Sequence, residues 1–106
     1  MKRLFISQPM CGKTDEEILA TREKAVESAK NHLGEDVEVI DSFFQDAPVD
    51  AHPLWYLGES IKLLATADVA YFAPGWESAR GCKIENQCAF EYGLTVIEDY
   101  SQTASV

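Results

Sequence analysis

Short apolar runs alternate along this chain with longer stretches in which apolar residues return every three or four positions. Leu4, Phe5 and Ile6 lie together within Lys2 to Ser7, and an unbroken apolar run of that length predicts a strand covered on both faces. Pro9 and Gly12 interrupt the chain after it, as breakers do in a loop. Thr14 followed by Glu17 has the capping-box spacing that opens a helix. Ile18, Arg22, Ala25, Val26, Ala29 and Leu33 then recur at helical intervals. Arg22 on that stripe is expected to snorkel to the rim, and Gly34 stands where a helix commonly ends in a left-handed residue. Val37 to Ile40 predicts a second strand. Pro53 suits the first turn of a second helix, with Leu54, Leu57, Ile61, Leu64 and Ala65 on one face. Val69 to Ala73 predicts a third strand, and a third helix is expected from about Cys82 to Tyr92. Ile84, Cys88, Ala89 and Tyr92 would face inward there, with Gly93 as its cap. Thr95 to Ile97 closes the series, and residues 100–106 form a polar tail expected to fray.

Strand and helix thus alternate as β-α-β-α-β-α-β across residues 1–99, read as one domain. Alternation of this kind argues for a parallel sheet with helices on both faces. Right-handed crossovers leave few arrangements. The expected fold class is α/β, a small three-layer α/β/α sandwich of flavodoxin-like or Rossmann-like type with strand order 2-1-3-4. Ligands of such sheets bind beyond the carboxyl ends of the strands, where the strand order reverses. The loops after strands 1 and 3, SQPMCGKT and APGWESARG, meet there, and they are rich in Gly, Pro and small polar residues.

Composition narrows the function classes. A net charge of −9, from 18 acidic and 9 basic residues, opposes binding to nucleic acid polymers or anionic membranes, which needs a basic footprint. No apolar run nears the ~20 residues of a membrane span, and MKRLFIS lacks the apolar core of a signal peptide, so a cytoplasmic protein is expected. Three cysteines, Cys11, Cys82 and Cys88, fit reduced thiols, and their spacing matches no zinc site. No cofactor is expected. The acidic loop with Asp41, Asp46, Asp50 and His52 reads as solvated. Phe43, Phe44, Trp55, Tyr56 and Trp76 can either stack a base or fill core and subunit interfaces.

The stretch GWESARGCKIE, residues 75–85, carries the candidate chemistry. Gly75 and Gly81 let the backbone turn and approach a ligand. The start of the third helix offers free N–H groups and a positive dipole end, suited to phosphate, with Arg80, Lys83 and Ser78 adding charge and a hydroxyl. Glu85 has two readings. It is a first-turn glutamate that favours the helix dipole, or it is a carboxylate beside the pocket that attacks a sugar C1 or activates water.

The segments ISQPMCG and ADVAYFAPGWESARGCKIENQCAFEYG resemble the DUF4406 family, itself similar to the nucleoside 2-deoxyribosyltransferases and nucleotide N-hydrolases. GCKIENQCA follows the transferase pattern G-T-x-x-E-x-G-x-A, with Cys82 in place of its threonine and Gln87 in place of its second glycine. The resemblance implies that Glu85 is the nucleophile, forming a glycosyl-enzyme that water or a second base resolves. It further implies a nucleoside or its 5′-phosphate as small-molecule partner. Ser7, Gln8, Met10 and Gly12 would bind sugar or base and Ser78, Arg80 and Gly81 the phosphate, with Gly75 and Trp76 also among the substrate-binding positions. A homo-oligomer is expected, because small sites of this kind are often completed across an interface. Two further positions depart from the pattern. The helical aspartate eight residues before Asp68 is Ser60, beside Glu59, and the acid or serine six residues before Glu85 is Ala79, beside Ser78. Glu59, Glu77 or a neighbouring subunit is expected to supply the missing acid. Asp68 itself reads as structural, at the wrong end of the sheet for catalysis. The alternative is a non-catalytic protein that binds or sequesters a nucleotide in the same pocket.

Overall fold

The computed structural model describes residues 1–42 and 47–100. Four parallel strands, β1 (Lys2–Ser7), β2 (Val37–Val39), β3 (Val69–Phe72) and β4 (Thr95–Glu98), stand in the order β2-β1-β3-β4, as the alternation of elements predicts. The helices are α1 (Asp15–Leu33), α2 (Pro53–Leu64) and α3 (Arg80–Glu91), with one 3-10 turn, η1 (Trp76–Ser78), ahead of α3. Pairing of Ser7 with Phe72 brings the carboxyl ends of β1 and β3 level.

Period-two alternation divides the core between the two faces of the sheet. Leu4, Ile6, Val69, Tyr71 and Ile97 pack with Ala25 and Ala29 of α1. Phe5, Ala70 and Phe72 pack with Leu64 of α2 and Ala89 of α3. One helix therefore covers one face and two cover the other.

α1 is bounded as its sequence foretells. The Thr14 hydroxyl accepts from the Glu17 N–H and the Glu17 carboxylate from the Thr14 N–H, both at 3.1 Å, and Gly34 closes the helix at φ 71°. Arg22 departs from expectation: it is buried rather than snorkelling. Its guanidinium donates to the Ile40 carbonyl at 3.0 Å and the Ser42 hydroxyl at 3.3 Å. It thereby fastens the end of β2 beside β1. Asp68 receives the Arg3 N–H at 2.8 Å, at the amino end of β3, the structural role read for it.

α3 differs more. It starts at Arg80, two residues earlier than expected, and buries Cys82, Glu85 and Ala89. Ile84 is half-exposed and Tyr92 is exposed. The stripe expected from the apolar residues is thus rotated, because a carboxylate occupies one of the inward positions. Leu54 and Ala65 of α2 are likewise exposed. Phe43, Phe44 and Asp46 lie outside the described residues, as does the tail beyond Tyr100; Tyr100, placed in that tail by the sequence, packs its ring 5.9 Å from that of Trp76.

Candidate functional site

Continuing the alternation of β1 past Phe5 sends Ser7 to the α2/α3 face. There its hydroxyl donates to Glu85 Oε1 at 2.6 Å, a buried bond joining positions 78 residues apart. The Ser60 hydroxyl, on α2, favours the charged form of the same carboxylate. Glu85 is only 7% exposed. Burial holds its pKa above the ordinary carboxylate range, and the two serine hydroxyls act in the opposite sense without cancelling it. The earlier start of α3 removes the bland reading of this residue. Glu85 sits in the second helical turn, and the first turn contains no acidic side chain, so the dipole does not account for it.

Glu85 lines a cavity of about 1180 Å³ at the carboxyl end of the sheet, somewhat above the roughly 300–1,000 Å³ usual for small-ligand sites. Among the described residues its wall comes mainly from the end of β1 and the loop after it, the beginning of α2, and the junction of η1 with α3. Ser7, Gln8, Met10, Ser78, Arg80, Gly81 and Glu85 all line it, so seven of the positions singled out in the sequence come together. Gly12, Gly75 and Trp76 do not. Gly75 adopts φ 91° and turns the chain into η1. Trp76 packs 5.7 Å from the Phe72 ring, at the edge of the α2/α3 core. Its aromatic surface stabilises that core instead of facing the cavity. Gly12 takes φ 78° in the loop after β1.

The wall also contains residues that the sequence did not single out as ligand-binding. Ser42 reaches it from the end of β2, and Cys82 from the first turn of α3. Burial pushes the Cys82 thiol up to about 11, with Ser7 pulling against this and the Glu85 charge adding to it. Such a thiol is neither a nucleophile nor an acid near neutrality. His52, Tyr56 and Ser60 line the cavity from α2 and its N-cap. Their spacing of four is the legible signal, since residues i, i+4 and i+8 share one helix face. Glu59 and Glu77, the expected substitutes for a missing acid, are absent from this wall. Glu59 is paired with Lys62 at 2.9 Å, and Glu77 is exposed.

The opening of α3 completes the arrangement. Its N-cap, Ala79, has no side-chain hydrogen bond to the first turn, so the N–H groups of Arg80, Gly81 and Cys82 point outward without helical partners. Arg80 stands beside them on the wall and forms no ion pair among the described residues. An anionic group is favoured there by dipole and charge together. The three cysteines are unpaired. No group of three or more His, Cys, Asp or Glu among the described residues is arranged to hold a metal ion. No helix there is long and apolar enough to cross a membrane. A family model described as "Domain of unknown function (DUF4406)" matches residues 2–98. No curated protein matches the chain.

Proposed function

The chain belongs to the DUF4406 family, and we propose that its cavity binds a deoxynucleoside or its 5′-phosphate and that Glu85 cleaves or transfers the N-glycosidic bond. The observation that carries this reading is the Glu85 carboxylate, buried at the cavity wall and held by the Ser7 hydroxyl at 2.6 Å. A carboxylate fixed by a neutral hydroxyl, with no salt bridge to a cation among the described residues, keeps its charge available for an electron-poor sugar carbon. In the proposed reaction a Glu85 oxygen bonds to C1′ as the base departs, and water or a second base then releases the sugar. The open N–H groups of α3 with Arg80 and Ser78 support a phosphate at the far end of the ligand. The resemblance of GCKIENQCA to the transferase pattern supports the same assignment of Glu85.

Incubation with deoxynucleosides and their 5′-monophosphates should release free base, detected by chromatography. Glu85→Gln and Glu85→Ala should each reduce release by roughly 10⁴-fold or more. Release that survives both substitutions would remove Glu85 from the reaction. One observation favours a second reading, nucleotide binding without turnover. The position of the helical aspartate is Ser60, so Glu85 is the only carboxylate on the wall among the described residues. Under that reading a nucleotide at 100 times its Kd raises stability by about 2.7 kcal/mol, seen as a higher Tm, while no base appears.

A further inference from the structure

We propose that His52 is the general acid that protonates the departing base, taking the place of the carboxylic acid that Ser60 lacks. This rests on the reading of Glu85 as nucleophile. Nucleobase departure from a sugar needs a proton on the ring nitrogen, and imidazolium is the side-chain acid best matched to that task near neutral pH. Apart from Glu85, the wall's ionisable side chains among the described residues are His52, Tyr56, Arg80 and the cysteines Cys11 and Cys82. Arginine does not release its proton, and phenol and thiol donors are weaker acids than imidazolium.

Geometry places His52 suitably. His52, Tyr56 and Ser60 descend one face of α2 into the cavity. Eight residues of helix set the His52 and Ser60 backbones about 12 Å apart. Ser60 and Glu85 line the same cavity, so nucleophile and acid approach a ligand from two parts of the wall, with room between them for a sugar and its base. Among the described residues the imidazole makes no salt bridge. His52 is the N-cap of α2, yet its side chain makes no capping bond, and it is exposed on the cavity wall. The N-cap position is kept by its backbone carbonyl, which accepts the Trp55 N–H at 2.8 Å.

In the step proposed, the C1′–N bond breaks and its electron pair passes to the base. The base nitrogen takes a proton from the His52 imidazolium, and a Glu85 oxygen forms the new bond to C1′. A water oxygen then attacks C1′ from the face the base vacated. Its proton passes to the neutral imidazole, and the bond from C1′ to Glu85 breaks, restoring carboxylate and imidazolium.

Leaving-group dependence tests this. The deoxynucleoside that the wild-type protein cleaves fastest is compared with 4-nitrophenyl 2-deoxyriboside, whose phenolate departs without protonation. Each is supplied as the free glycoside and as its 5′-phosphate. His52→Gln should lower release of the natural base by about 10²- to 10⁴-fold and change nitrophenolate release less than about threefold, whereas Glu85→Gln should abolish both. His52→Asn, which introduces a favoured N-cap residue, should reproduce the His52→Gln result with α2 intact. Equal losses on both substrates, or no loss on the natural one, would overturn the role of His52 and leave that of Glu85 standing. A wild-type protein that acts on neither substrate would overturn both.

Discussion

Glu85 is costly to the fold where it sits, and that cost can be measured. Burial raises its pKa above the ordinary carboxylate range. Over the interval between the unfolded and folded values, the folded protein holds a proton that the unfolded chain has released. Stability in that interval falls as pH rises, and above it the whole expense of the buried charge is present. Glu85→Gln removes the titration while leaving an acceptor for Ser7. The variant should melt above the parent at neutral pH, with the difference narrowing as pH drops through the carboxylate range. Thermal melts between about pH 5 and pH 8 check this, and a gap that widens on acidification would contradict it. A residue whose removal stabilises the fold is what a stability–activity trade-off predicts for a functional group. The residue was legible from its place in the GCKIENQCA pattern. Its burial was not, because an apolar stripe read from sequence assigns a glutamate to the outer face.

Element boundaries follow local chemistry closely where caps are explicit. α1 has a complete capping box at Thr14 and a left-handed Gly34, and the sequence indicates both ends. Thr14→Ala removes the acceptor for the Glu17 N–H and should cost about 1 kcal/mol, read as a lower urea midpoint with an unchanged m-value. α3 lacks such a signal. Its N-cap is Ala79, and Gly81 reads as the end of a loop although it lies in the first turn. The boundary moved by two residues, and the assignment of its inward face moved with it. An uncapped helix start bordering a cavity leaves N–H groups for a ligand, so the local rule fails at the place where the site is built. α2 shows the converse. Its apolar residues announce the helix, but its cavity-facing row of His52, Tyr56 and Ser60 is polar, and the sequence reads those three as a solvated loop, a base-stacking or core or interface aromatic, and a departure from a pattern.

Across the whole molecule, the sheet separates two packing faces and opens the cavity on one of them. Phe72 is fully buried in the α2/α3 core and lies beside the strand that carries Ser7. Phe72→Ala should destabilise by about 3–5 kcal/mol, a large share of the 5–15 kcal/mol typical of a domain, and chemical denaturation would record it. The alternation of strands and helices already specifies a parallel sheet in the order 2-1-3-4, and with it the end of the sheet at which the cavity opens. Those features depend on periodicity and chain chirality, which act over short stretches and are written in residue order. Membership of the cavity wall depends on something else. Ser7, His52, Ser60 and Glu85 come from separate segments, and Trp76 lies beside Arg80 in the chain yet turns into the core. Only the packing of α2 and α3 on the sheet sets which side chains share that space, because distances between remote segments follow from tertiary contacts and leave no periodic trace in the chain.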